Sequence, residues 1–156
     1  LEHISIEREK IIGMVISPGP SHPKDRQEGI DFIGRHWERV PILGICLGHQ
    51  MLWHMTGGDV IRGERPIHGH TYEIRHSGHF IFEGVRQPLR VTRYHSLVCA
   101  GESTAFEVTA QSDDGVNMDI QHKSLPIYGV QYHPEAILSL DGRKQLFNFI
   151  KIAMEA

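Results

Sequence analysis

The apolar run Val40-Pro41-Ile42-Leu43 ends in Gly44-Ile45-Cys46-Leu47-Gly48, and Gly48-His49-Gln50-Met51-Leu52-Trp53-His54-Met55 follows with a helical pattern. No other stretch limits the fold as much. A short buried strand passes into a helix through a sharp turn, and glycines flank it where Cβ atoms would collide. Such a junction belongs to sheets of parallel strands covered by helices. It also aims a cysteine at the positive end of the following helix, an environment that favours thiolate over thiol. The turn is expected to lift the sulfur out of the sheet edge. This is the geometry of a nucleophile elbow, with sulfur where α/β-type hydrolases carry a serine oxygen. A lone cysteine beside an apolar strand equally suits simple core packing, so its partners must decide.

The rest of the first half fits the same architecture. Residues 11–17 read as a strand running into the turn Ser17-Pro18-Gly19-Pro20. Residues from about 25 to 39 carry Ile30, Ile33 and Trp37 at helical spacing. The middle changes character: residues 59–62, 72–76, 90–94, 106–110 and 117–122 are short strand-like pieces, expected as an antiparallel ribbon or sheet extension. The run 127–131 is expected to return to the central sheet. From Gly142, the positions of Leu146, Phe149, Ile150 and Ala153 describe a closing amphipathic helix. The expected fold is α/β: an open, mostly parallel sheet with helices on both faces and an antiparallel extension, forming one domain over residues 1–156. The polar opening at 1–10, without an initiator Met, leads us to expect that an N-terminal βα unit is missing.

Composition removes several functions. A net charge of −3 without a basic stripe gives nucleic-acid binding no electrostatic support. No apolar stretch approaches the length of a bilayer span, and the first residues do not resemble a signal peptide. Two cysteines, Cys46 and Cys99, are too few for a disulfide framework and suit a reducing, cytoplasmic setting. The histidines His68, His70, His76, His79 and His133 lie in separate segments without metal-ligand spacing, so no metal is expected.

A thiolate attacking an amide or ester needs a proton donor for the leaving group and donors for the oxyanion. Tyr132-His133-Pro134-Glu135, just beyond the 127–131 run, supplies the first. If the backbone stays extended, His133 and Glu135 project to one side, and the carboxylate can orient the ring towards sulfur. A plain surface pair after a strand fits the same residues. For the oxyanion, the N–H of Leu47 is one donor; Gly19 or Ser21 must give the other, since Pro18 and Pro20 have none.

Four segments now stand in one order: Ser17-Pro18-Gly19-Pro20, Gly44-Ile45-Cys46-Leu47-Gly48-His49-Gln50, Arg93-Tyr94-His95-Ser96-Leu97 and Gln131-Tyr132-His133-Pro134-Glu135. Together they resemble the class I (triad) glutamine amidotransferases, most closely the glutaminase subunits of anthranilate synthase and aminodeoxychorismate synthase. The resemblance runs from about residue 11 to the C-terminus. It implies Cys46 as nucleophile, His133 and Glu135 as its triad partners, and Gly19 and Leu47 as oxyanion amides. It further implies that Gly19, Pro20, Ser21, Gln50, Ser96 and Leu97 hold L-glutamine, and that ammonia passes to a chorismate-utilising synthase, either a separate chain or a fused domain. No cofactor is implied. Ser21 stands where the family usually has glycine, His70 where it has Lys or Arg, and Ala136 where it has Ser. Two other readings share these residues: a cysteine hydrolase of γ-glutamyl substrates on the same scaffold, and a non-catalytic module that only docks to a synthase.

Overall fold

The computed structural model describes residues 4–6 and 8–156. In chain order its elements are β1 (Met14–Ile16), α1 (Gln27–His36), β2 (Ile42–Ile45), α2 (Leu47–Met55), β3 (Asp59–Ile74), β4 (Leu89–Ala100), β5 (Phe106–Gln111), β6 (Asn117–His122), β7 (Ile127–Val130) and α3 (Gly142–Glu155). Short 3-10 turns occupy Pro23–Asp25 and Phe80–Phe82.

The main sheet has the order β1-β2-β7-β6-β5. β1, β2 and β7 run parallel, while β6 and β5 add on antiparallel. All four residues of β2 and of β7 are buried, as expected where a parallel strand is covered on both faces. Ile42 and Ile127 face a cluster with Leu52 of α2 and with Ile30 and Ile33 of α1. Leu43, Tyr128 and Val130 face the opposite cluster, with Phe149 of α3 and with Ile81 and Phe82. Helices therefore cover both faces. Fully enclosed residues such as Ile42 and Leu52 each contribute about 1.5–3 kcal/mol through burial.

β3 and β4 form a separate two-stranded antiparallel ribbon. The expected pieces 59–62 and 72–76 are parts of one strand, and 90–94 is part of its partner. Pro66 lies inside β3, which is tolerated because a two-stranded ribbon leaves each strand an unpaired side. Register shifts between Arg62 and Ile67, and between His68 and His70, absorb the irregular residues.

Other boundaries differ for local reasons. The strand expected over 11–17 is confined to Met14–Ile16 at the sheet edge, where Val15 is half exposed. The helix expected from about 25 starts at Gln27, because Pro23–Asp25 form their own turn with His22 as cap. In α3, Phe149 and Ala153 are buried, but Ile150 is half exposed and does not join the core.

Candidate active site

Cys46 lies between β2 and α2 with φ 53° and ψ −100°, a backbone state that costs a non-glycine residue on the order of 1–3 kcal/mol. The flanking glycines are sterically required. A Cβ on Gly44 would fall 2.6 Å from the backbone of Gly48, and one on Gly48 would fall 2.4 Å from the carbonyl oxygen of Ile16. The end of β2, the first turn of α2 and β1 thus meet at backbone contact. The Cys46 N–H donates to the Val130 carbonyl at 2.8 Å, tying the turn to β7. Leu47 is the first residue of α2, so its N–H has no acceptor within the helix.

The sulfur is not lifted into the open: Cys46 is only 6% exposed. β4 crosses beside it, with the Tyr94 carbonyl oxygen 3.7 Å from Sγ. On the other side the Gln131 side-chain Nε2 lies 3.6 Å from the same atom.

His133 and Glu135 meet, but not through an extended strand. Residues 131–135 bend and enter a turn, closed by the Ala136 N–H on the His133 carbonyl at 3.2 Å. Nδ1 of His133 and Oε1 of Glu135 are 2.7 Å apart. The His133 N–H donates to the Thr92 carbonyl of β4 at 3.0 Å. Ser139 reinforces that joint: its hydroxyl donates to the His133 carbonyl at 2.5 Å and accepts from the Thr92 N–H at 3.0 Å. The ring of Tyr94 packs edge-on against the His133 ring, centroids 5.4 Å apart.

The nearby Cys46 sulfur, then the hydrogen bond to Glu135, pushes the His133 pKa up to about 9, against the opposing effect of burial. The imidazole is therefore charged at neutral pH. Nε2 of the ring is buried and makes no hydrogen bond among the described residues. For Glu135, burial resists ionisation, yet the hydrogen bond to His133 and its own backbone outweigh it and hold the carboxyl below its ordinary value.

A buried polar chain leads away from the sulfur. Gln50 Nε2 donates to the Gln131 Oε1 at 3.0 Å and to the Leu97 carbonyl at 3.1 Å. That carbonyl also receives Nδ1 of His95 at 2.8 Å, while Nε2 of His95 accepts from Nε of Arg93 at 3.0 Å. Arg93 in turn pairs with Asp114 at 3.3 Å and lies over the Tyr72 ring. Burial, despite the bond to Leu97, lowers the His95 pKa to about 4, so the ring is neutral. A proton on Nδ1 alone is what these two bonds require.

The remaining candidates divide. Gly19 approaches the elbow, since a Cβ there would lie 3.1 Å from Leu47 Cδ2. Pro20 and Ser21 are exposed and tied to Arg26, whose Nη2 donates to the Pro20 carbonyl and whose Nε donates to the Ser21 hydroxyl. Ser21 has φ 86°, in the region that favours glycine. Ser96 is exposed on β4, next to Leu97, whose half-buried carbonyl accepts from Gln50 and His95. Sequence reasoning does not single out Gln131, Ser139 or the Tyr94 ring. Gln131 does carry a signal, as a polar residue ending an apolar run where the strand should still be enclosed. Ser139 carries none. Among the described residues, no group of three or more His, Cys, Asp or Glu is placed to hold a metal ion.

The family model for glutamine amidotransferase class-I matches residues 1–153. Over 140 residues the chain is 46% identical to aminodeoxychorismate/anthranilate synthase component 2 of Bacillus subtilis, covering 88% of this chain and 72% of that protein. It is 45% identical over 153 residues to anthranilate synthase component 2 of Methanothermobacter thermautotrophicus, covering 95% and 76%. It is 44% identical over 149 residues to the bifunctional protein TrpGD of Thermotoga maritima, of which it spans only 25%. In three dimensions it is similar to a protein of Thermoplasma acidophilum assigned as a GMP synthase subunit, with TM-score 0.84, 27% identity, and coverage of 96% of this chain and 76% of that one. A cysteine on a glycine-flanked elbow, a histidine paired with a carboxylate near it, and these likenesses converge on one assignment. The chain belongs to the class I glutamine amidotransferases.

Proposed function

We propose that this chain hydrolyses L-glutamine through a thioester on Cys46 and delivers the ammonia to a chorismate-utilising synthase, separate or fused. One observation carries the reading: Cys46 on its glycine-flanked elbow has His133 as a neighbour, whose Nδ1 is held by Glu135 at 2.7 Å and whose buried Nε2 is left without a hydrogen-bond partner among the described residues. An imidazolium beside a sulfur is the resting state needed for thiolate attack followed by protonation of an amine.

In this reading the Cys46 thiolate attacks the side-chain carboxamide carbon of glutamine. The carbonyl electron pair moves to oxygen, met by the N–H groups of Leu47 and Gly19. As the pair returns, the C–N bond breaks, and His133 gives its proton to the departing nitrogen, releasing ammonia and leaving a glutamyl thioester. Water then attacks the same carbon while His133 takes its proton, and the C–S bond breaks to release glutamate and restore the thiolate. Glu135 keeps the ring oriented and stabilises its positive form. The loop Gly19, Pro20 and Ser21, with Gln50, Ser96 and Leu97, holds the substrate. Gln50 commits its Nε2 to Leu97 and Gln131, which leaves its Oε1 to meet glutamine.

The synthase partner is supported by the relatives, named as second components of anthranilate and aminodeoxychorismate synthases. Both thiols are free, in keeping with a cytoplasmic protein. No helix among the described residues is long and apolar enough to cross a membrane.

The test uses the complete protein with its synthase partner, glutamine and chorismate. Cys46→Ala is expected to lower glutamate formation by at least about 10⁴-fold, because the covalent route itself is lost. Glutamate release by that variant at the parent's rate would refute the glutaminase reading. Glutamate release by the parent with no glutamine-dependent amination of chorismate would remove the synthase assignment alone.

A further inference from the structure

We infer that Gln131 is a further catalytic residue of this site: its side-chain N–H holds the Cys46 sulfur in the charged form that attacks glutamine and is later expelled. The inference rests on the glutaminase reading above and adds a residue to it. Gln131 follows β7 directly, is 0% exposed, and is fixed through its backbone N–H to the Met118 carbonyl at 3.0 Å. Its Nε2 lies 3.6 Å from Sγ.

The direction of its amide follows from the chain of bonds behind it. A peptide carbonyl only accepts, so the Leu97 oxygen requires Gln50 to present its Nε2, at 3.1 Å. The second hydrogen of that nitrogen points to Gln131, at 3.0 Å, and only an oxygen can receive it. Gln131 must then turn its Oε1 to Gln50 and its Nε2 to sulfur. His95 closes the far end: Nε–H of Arg93 occupies its Nε2, so its Nδ1–H also points at Leu97. With the Leu97 oxygen as a fixed acceptor, Gln50 donates to Gln131 and Gln131 donates to the sulfur.

The two flanks of Sγ have opposite character. The Tyr94 carbonyl at 3.7 Å can receive the S–H of a thiol but offers nothing to a thiolate. The Gln131 N–H offers its stronger bond to the thiolate, because hydrogen bonds to charged acceptors are about twice as strong as neutral ones. The same N–H loses its charged partner when the thioester forms and regains it when the thiolate leaves. It therefore favours both the attacking state and the step that frees the enzyme. The titratable neighbours coupled to Cys46 are His133, after β7, and the Cys99 thiol on β4. Neither is altered by changing Gln131.

The experiment uses the full protein in complex with its synthase partner and two variants, Gln131→Met and Gln131→Glu. Iodoacetamide is the probe, and the alkylated Cys46 peptide is followed by mass spectrometry across pH; buried Cys99, whose thiol burial pushes up strongly, stays unreactive. For Gln131→Met, the reactivity profile is expected to move to higher pH by about one unit, so that alkylation at neutral pH slows about tenfold. The glutaminase kcat should fall by a similar factor with KM changed less than about twofold. Gln131→Glu keeps the shape and still accepts from Gln50, but turns an oxygen towards sulfur, and both losses should be larger. A melting curve confirms that each variant folds, and if the Met variant does not, the Glu variant decides alone. An unshifted alkylation profile in a folded variant overturns the inference, whether or not kcat falls. If the parent fails to hydrolyse glutamine, the proposed function falls, while the alkylation profile still judges the contact between Gln131 and Cys46.

Discussion

At the scale of single residues, the elbow concentrates strain in one place and removes side chains around it. Cys46 holds a left-handed φ, and Gly44, Gly48 and the Ile16 carbonyl close upon one another. Gly44→Ala or Gly48→Ala drives a Cβ into backbone that cannot swing aside, so each should lose roughly 3 kcal/mol or more. Urea unfolding measures this directly; a variant as stable as the parent would contradict the packing. Glu135 acts differently. The folded pKa of His133 is raised from 6.5 to about 9, so the pairing contributes stability that is complete below about pH 6.5 and disappears as pH rises through 9. Cys46 is the larger cause and Glu135 the second, and the Glu135 side chain is partly exposed. Glu135→Gln should therefore cost only a few tenths to about 1 kcal/mol near pH 6 and nothing above pH 9. Its glutaminase kcat should fall more steeply than its stability. Paired melting curves and rates over that pH range check both parts.

At the scale of elements, the site is a meeting of three: the β2–α2 elbow, the turn after β7, and β4 of the ribbon. β4 supplies Tyr94 beside the sulfur, Leu97 beside Gln50, and the Thr92 carbonyl that anchors His133. Ser139 is the clasp between β4 and the histidine. Ser139→Ala leaves the buried Thr92 N–H without its acceptor, which should cost about 1–3 kcal/mol. The freed His133 should lower kcat more than it raises KM; equal losses in kcat/KM arising from KM alone would speak against the clasp. The elbow is legible in the sequence because glycine spacing and an apolar run are local signals. The ribbon is legible only as fragments, since Gly63, Pro66 and Gly69 interrupt β3, and its continuity comes from pairing with β4. The turn at 131–135 reads as extended for a similar reason: alternation predicts a meeting of His133 and Glu135, but tertiary bonds to β4 produce it.

At the scale of the whole molecule, sequence order and hydrophobic runs locate the parallel strands and the helices on both faces. The polar interior is not readable in that way, because donor direction in the chain Leu97, Gln50, Gln131 depends on residues far apart in sequence. Asp119 on β6 illustrates the same gap. It is fully buried, accepts a hydrogen bond from Thr109, and has no partner for Oδ2 among the described residues. Burial pushes its carboxyl well above the ordinary 3.8, and the Thr109 bond only partly opposes this. For an acid whose pKa is raised on folding, the unfolded chain releases its proton first. Stability is then fully present below about pH 3.8 and is lost as pH rises towards the folded value. Asp119→Asn should gain on the parent steadily between acid and neutral pH, as read by urea midpoints; a difference independent of pH would show that Asp119 is ionised in the fold.

All of this turns on sulfur 46 carrying the glutamyl group. Rapid acid quench of the complete protein turning over glutamine with its synthase partner, followed by mass analysis of the peptide containing Cys46, tests that directly. We predict a glutamyl adduct on Cys46 that is present during turnover, decays once glutamine is exhausted, and is absent from Cys46→Ala. Continued glutamate production in the parent with no adduct on that peptide, under a quench that preserves thioesters, would contradict the account.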